Sequence, residues 1–230
     1  MYMVLEAGGL LRERTAVLLL GGEPPRRPEL RELICRAEYL AAADGGAAAA
    51  LAVGRVPDLL VGDFDSLEPE LRRRCAQAPG CELLELPVRK DVTDGEFLYS
   101  RLAAAGWRRL VILGALGGRF DQTLANVLCT LPLAEAGLEV CLAGERELLV
   151  PLAAVAKEET RLVLEGFGGR VVSLLALGGG ADWVRLVGFD YPLDGELAAN
   201  VTLGLSNAAL GERSEIWLWG GSLLVCAAWG

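Results

Sequence analysis

Over roughly the first 145 residues, apolar positions form short unbroken runs separated by stretches with helical spacing. The run Ala16-Val17-Leu18-Leu19-Leu20 is too short for a helix and is closed by Gly21-Gly22, so it predicts a strand covered on both faces. Leu30, Leu33, Ile34 and Ala37 then recur at the spacing of one helix face. Further strands are predicted at Tyr39–Ala43, Leu59–Val61, Leu83–Leu86, Leu110–Leu113 and Leu138–Leu142. Helices fill the gaps, the clearest at Thr93–Ala105 and Gln122–Leu131, with a shorter one at the alanine run Ala47–Ala50. Strands alternating with helices imply βαβ units around a parallel sheet.

Beyond Gly144 the pattern changes. Arg161–Leu164, Val171–Leu177, Trp183–Val187, Val201–Leu205, Glu215–Trp219 and Leu223–Ala227 are short and strand-like, separated by glycine-containing turns. They predict an all-β region, a sandwich. The expected fold is α/β: an N-terminal Rossmann-like parallel-sheet domain over residues 1–145, then a C-terminal all-β sandwich over 146–230. The join is placed between Ala143 and Lys157, where Pro151 and the cluster Lys157-Glu158-Glu159 interrupt the pattern.

Composition narrows the function. A chain that is 53% apolar can build its core without metal or disulfide staples. The net charge of −9, with only two lysines (Lys90 and Lys157) among 22 basic residues, argues against a nucleic-acid partner. Cys35, Cys75, Cys81, Cys129, Cys141 and Cys226 fit no zinc spacing and read as buried reduced thiols of a cytoplasmic protein. Glu6, Arg12, Glu13 and Arg14 break up any secretory signal pattern. The uncharged stretch Trp217–Gly230 falls short of the ~20 residues that span a bilayer. It reads as a buried strand pair, and no membrane partner is expected. The absence of histidine excludes Ser-His-Asp and Cys-His catalysis, and no lysine-bearing phosphate loop is present. Chemistry is left to carboxylates, arginines, hydroxyls and backbone amides.

Such groups collect where predicted strands end. Gly62-Asp63-Phe64-Asp65-Ser66 follows the strand Leu59–Val61, and extended geometry would turn Asp63 and Asp65 to one side and Phe64 to the other. Neighbouring carboxylates repel unless a cation intervenes, and Mg²⁺ suits oxygen ligands; an acidic turn suits the same residues. In Lys90-Asp91-Val92-Thr93-Asp94-Gly95-Glu96, Thr93 and Glu96 form a capping-box pattern, and the cap positions Asp91 and Asp94 on a fixed loop. Gly114-Ala115-Leu116-Gly117-Gly118-Arg119-Phe120-Asp121-Gln122 offers glycine amides and a guanidinium to an anion, with Asp121 equally suited to cap the next helix. Asp44-Gly45-Gly46 repeats the theme of strand end, acid and glycines. Ligands bind at the carboxyl ends of parallel strands, so the set points to a magnesium–nucleotide site.

In order along the chain, Ala43–Ala47, Pro57–Ser66, Lys90–Glu96 and Gly117–Asp121 resemble the motifs of the thiamine pyrophosphokinase family. Gly188-Phe189-Asp190-Tyr191-Pro192-Leu193 and Gly204-Leu205-Ser206-Asn207 resemble its later elements; Gln122 stands where many relatives carry histidine. The resemblance implies transfer of pyrophosphate from ATP to the thiamine hydroxyl, giving thiamine diphosphate and AMP. It implies Mg²⁺ as cofactor, ATP as co-substrate, and a homodimer with the active site at its interface. Carried over residue by residue, Asp63, Asp65, Asp94, Asp121 and Arg119 become catalytic, and Asp63, Asp65, Asp91, Asp94 and Asp121 metal-facing. Asp44, Gly45, Gly46, Ser66, Lys90, Thr93, Gly117 and Gly118 become nucleotide contacts, and Ser206, Asn207 and Tyr191 thiamine contacts. With no histidine, the proton acceptor is an aspartate, Asp94 or Asp121. The readings to be separated from this one are a pyrophosphokinase for another alcohol, such as a hydroxymethylpterin, and a nucleotide or thiamine sensor without turnover.

Overall fold

The computed structural model describes residues 1–7, 9–65, 67–154 and 158–229, so Ser66 and Lys157 lie outside the described residues. The first elements are β1 (Tyr2–Glu6), β2 (Thr15–Leu19), α1 (Pro28–Arg36), β3 (Tyr39–Ala43), α2 (Gly46–Ala52), β4 (Leu59–Gly62), α3 (Pro69–Gln77) and β5 (Glu82–Glu85). They are followed by α4 (Asp94–Ala104), β6 (Arg109–Leu113), α5 (Phe120–Glu135), β7 (Glu139–Ala143), β8 (Glu147–Ala153) and β9 (Thr160–Glu165). The last are β10 (Val171–Val187), β11 (Asp194–Leu197), β12 (Asn207–Ala208) and β13 (Arg213–Ala228). The chain forms two compact units: Leu11–Cys129 with Leu142–Glu145, and Met1–Leu10 with Thr130–Cys141 and Arg146–Gly230.

The first unit is α/β. Its strands stand in the order β5-β4-β3-β2-β6, every neighbouring pair parallel. All positions of β2 and β4 are buried, which is why these strands read as continuous apolar runs. α1 starts at Pro28, where a missing N–H costs nothing, and buries Leu30, Leu33 and Ile34, the face read from their spacing. Leu18, Leu19, Leu40, Leu59 and Leu60 are fully buried, each worth about 2 kcal/mol. The chain lays β3, β4 and β5 successively on one side of β2, then returns to place β6 on the other side. Loops leaving β3 and β6 therefore diverge around the carboxyl end of β2, and a cleft opens there.

The second unit is dominated by antiparallel pairing. β13 pairs with β10 along most of its length; Arg213–Leu218 also pair with β9, and Ser222–Ala228 with β8. β11 and β12 attach to β10, and β1, not anticipated from the sequence, joins β9 in parallel. Three sequence expectations change here. Val171–Leu177 and Trp183–Val187 are parts of one strand, β10, and the expected terminal strand pair is one strand, β13. Their glycines bend the strand instead of reversing it: the β10–β13 register shifts between Leu177 and Val184, where Gly180 and Gly221 take positive φ. Val201–Leu205 is a turn closed by Leu205 N–H to Thr202 O at 3.0 Å, not a strand, because Gly204 packs directly on the Leu174 carbonyl.

All six cysteines are free thiols; Cys75 and Cys141 are buried as expected, whereas Cys81, Cys129 and Cys226 are only partly buried and Cys35 is exposed. Among the described residues no helix is long and apolar enough to cross a membrane.

Candidate active site

The loops after β2, β3 and β6 and the start of α4 line a cleft of about 460 Å³, within the range of ligand pockets. Asp44, at the end of β3, has φ 41°, and its Oδ1 accepts the Phe64 amide at 3.0 Å. Its carboxylate lies where a Cβ on Gly62 would fall, so the glycine before Asp63 leaves room for the acid of the neighbouring strand. Burial lifts the Asp44 carboxyl to about 6; the Phe64 amide opposes this, and the facing Asp94 and nearby Asp63 add to it. Gly46 sits against the Leu19 carbonyl and lets α2 begin directly over the end of β2.

Asp63 and Asp65 are not related by strand alternation. β4 ends at Gly62, and Phe64 has φ 62°, outside the extended region. Instead Asp63 Oδ1 accepts the Asp65 amide at 3.1 Å, leaving Asp65 exposed. Phe64 is buried, as expected, with the Arg72 guanidinium 4.7 Å from its ring centre.

At α4, Thr93 is the N-cap, its Oγ1 accepting the Glu96 amide at 3.1 Å. That cap starts the helix at Asp94, whose carboxyl lines the cleft. Lys90 Nζ pairs with Asp94 Oδ1 at 3.0 Å, yet that oxygen is buried and receives no hydrogen bond. Asp91 is exposed on the loop before the cap.

The glycine loop after β6 is held from α5. Thr123 Oγ1 donates to Gly117 O at 3.1 Å and Asn126 Nδ2 to Ala115 O at 2.9 Å. Asn126 and Gln122 line the cleft, although the sequence assigned a site role to neither; Gln122 ends the glycine-loop motif, and the one sequence signal of Asn126 is its place in the first turns of α5. α5 begins at Phe120, so Asp121 lies inside the helix and is not its cap. Its two oxygens accept Arg119 Nε and Nη2 at 3.1 and 2.6 Å. The guanidinium, first, and the Gln122 amide hold the Asp121 carboxyl below the usual range. Asp44, Gly45, Thr93, Asp94 and Gly117 thus share the cleft, whereas Asp65, Asp91, Gly118, Arg119 and Asp121 are exposed around it and do not line it. Among the described residues, no three acidic or cysteine side chains converge to hold a metal ion by themselves.

In the second unit, Tyr191 is 68% exposed and is no core aromatic. Ser206, exposed at φ 57°, donates its amide to Ser173 Oγ at 3.0 Å. Asn207 is buried, its side-chain amide bonded to both backbone groups of Tyr191.

Fold and cleft define an α/β protein of the open parallel-sheet class, with acids and glycine loops at its switch point. Residues 30–142 match the model of the thiamin pyrophosphokinase catalytic domain. The chain is 23% identical to the thiamine pyrophosphokinase of Bacillus subtilis over 206 residues, 87% of this chain and 92% of that one. The crystal structure of the Bacillus subtilis thiamine pyrophosphokinase superposes with a TM-score of 0.80 at 22% identity, covering 93% of this chain and 98% of that one. The thiamin pyrophosphokinase of Candida albicans gives 0.81 at 16% identity, covering 100% and 93%. Residues 30–142 are thus similar to the thiamin pyrophosphokinase catalytic domain, and the chain shares the fold of the solved thiamin pyrophosphokinases.

Proposed function

We propose that the protein transfers the pyrophosphoryl group of ATP to the hydroxyl of thiamine, forming thiamine diphosphate and AMP. The carrying observation is the cleft at the switch point, where Asp44 and Asp94 face each other and Asp94 Oδ1 is buried without a hydrogen bond. Two acids facing each other with the Lys90 ammonium paired to one of them at 3.0 Å still suit a hard cation. Mg²⁺ is commonly bound through one or two carboxylates plus phosphate oxygens and water, so the lack of a three-ligand protein cluster among the described residues fits it. Asp94 would hold the ion, with Asp44 beside it and Asp63, Asp65, Asp91 and Asp121 around the phosphates. When bound with ATP, such an ion supplies positive charge to phosphate oxygens.

The chain's own groups do the rest. Backbone amides of Gly45, Gly46, Gly117 and Gly118, together with the N-terminus of α4 at Thr93, receive phosphate oxygens. Arg119 exchanges its surface pair with Asp121 for the moving group, and Lys90 keeps charge near Asp94. Alignment of the hydroxyl with the β-phosphorus and stabilisation of charge on the departing AMP oxygen carry the rate. Of the two acids considered as proton acceptor, Asp94 faces the cleft, whereas Asp121 is held outside it by Arg119.

The second unit, read as a β-sandwich, supplies the thiamine side through Tyr191 and Ser206. The exchange of partners by β13 from β9 to β8 across Gly220-Gly221 supports that reading, since strands turn sandwich corners at such bends. Residues 1–145 act as the Rossmann-like nucleotide half and 146–230 as the thiamine half. A cytoplasmic homodimer sets the thiamine half of one copy against the nucleotide half of the other. A chromatographic assay with ATP, Mg²⁺ and thiamine tests the proposal. Equal amounts of AMP and thiamine diphosphate are expected; AMP release with other alcohols but not thiamine, or no AMP at all, overturns it.

A further inference from the structure

We propose that Asn207 is a positioning residue that fixes the Tyr191 ring, and not itself a contact of the bound alcohol; the inference rests on the thiamine reading above. Asn207 is 4% exposed. Its Oδ1 accepts the amides of Tyr191 at 2.9 Å and Ala208 at 2.8 Å, and its Nδ2 donates to Tyr191 O at 2.7 Å. An amide oxygen has two lone pairs, so both acceptor sites of Asn207 are occupied before any ligand arrives. Tyr191, by contrast, is 68% exposed.

The two residues are 16 apart in sequence and joined through both backbone polar groups of Tyr191. Asn207 therefore clamps the N–H and the C=O of the residue that carries the exposed ring. Its neighbours tighten the same loop: Asp190 N–H bonds Ala208 O at 3.0 Å, and Leu186 N–H bonds Leu193 O at 2.9 Å. Pro192 restricts the Tyr191 backbone further. With its backbone held, the ring keeps only side-chain rotation, so little freedom is lost when it stacks on a flat or cationic ligand. A thiazolium or aminopyrimidine ring has that chemistry.

The test is a double-variant cycle on the full-length enzyme with Asn207→Asp and Tyr191→Ala. The aspartate variant acts on one side of the clamp: a carboxylate keeps both acceptor bonds but replaces the donor to Tyr191 O with an oxygen that repels it. Asn207→Asp alone is expected to raise the KM for thiamine by at least roughly 3- to 10-fold, the cost of one lost bond at a buried site to which the repulsion adds. The KM for ATP should stay unchanged. In the Tyr191→Ala background the same substitution should add no further rise in thiamine KM. An equal rise in both backgrounds identifies a direct contact and overturns the proposal, as does a parallel rise in the ATP KM. Should Asn207→Asp fail to fold, the wild-type protein decides: in ¹⁵N-labelled enzyme the Asn207 side-chain NH₂ signals are expected to exchange slowly and to hold their position when thiamine is added. Large shifts of those signals on binding overturn the inference. Wild-type enzyme that makes no thiamine diphosphate sinks the thiamine reading instead, which keeps the two failures apart.

Discussion

Polar groups are handled differently in the cleft of the parallel unit and in the 188–193 loop of the antiparallel unit. In the cleft, Asp44 and Asp94 face each other, Asp94 keeps a buried oxygen without a hydrogen bond, and Asp44 is pushed up to about 6. Around the loop, Asn207 is bonded at both ends of its amide, and buried Ser214 donates its hydroxyl to Gly188 O at 2.6 Å. Like charges brought together without full compensation store free energy that a cation and phosphates can release. A fully bonded loop stores none and instead holds an aromatic surface still. The first arrangement suits a region that receives a charged, changing group; the second suits one that only orients its ligand.

The comparison breaks most sharply at Asp94. Asp94→Asn should fold normally and lose ~10²–10³ in turnover, the usual cost of one preorganised charge contact; near-normal AMP formation would remove Asp94 from the chemistry. Next comes the backbone under the cleft. Gly46→Ala drives a Cβ into the Leu19 carbonyl, and should cost about 3 kcal/mol in urea unfolding with loss of nucleotide binding.

Asp44→Asn sharpens the contrast by removing the like charge. The folded-state carboxyl titrates higher than the unfolded one, so its favourable contribution is complete at low pH and is lost as pH rises through about 6. Without nucleotide or metal, Asp44→Asn should therefore gain on the wild type between about pH 4 and 7, by about 1–2 kcal/mol after allowing for solvent screening. A stability difference that is flat with pH would contradict it. The smallest effect is expected in the satisfied region: Ser214→Ala should cost about 1 kcal/mol with the ATP KM unchanged, as measured by thermal unfolding and steady-state assay.

Much of this was legible in the sequence where local physics decides. The central strands β2, β3 and β4 of the parallel sheet are apolar on both faces, so they appear as unbroken runs at nearly their observed limits. Thr93 caps α4 through a bond to a residue three positions on, a purely local signal. Asp44, Asp94 and the glycines of the cleft follow predicted strand ends, so their grouping was accessible from chain order alone. Gln122 was visible only as the residue after the last motif acid and Asn126 not at all, since a polar residue in the first turns of a helix looks the same whether it faces a cleft or solvent.

The antiparallel unit shows where such reading stops. Gly178-Gly179-Gly180 and Gly220-Gly221 suggest chain reversals, but glycine permits a bend as readily as a turn, and the cross-strand partners of β10 and β13 choose the bend. Val201–Leu205 has the apolar composition of a strand, yet the approach of Gly204 to Leu174 makes it a turn. Asn207 stands in a recognisable motif, but its bonds to Tyr191 exist only once residues 16 apart in sequence are brought together. Chain order and composition were enough for the parallel sheet, the Thr93 cap and the loops that carry the acids, because each depends on neighbours along the chain. Partner choice, bulges, the Asp44–Asp94 encounter and the clamp on Tyr191 arose only in the folded molecule, because each depends on groups that meet across space.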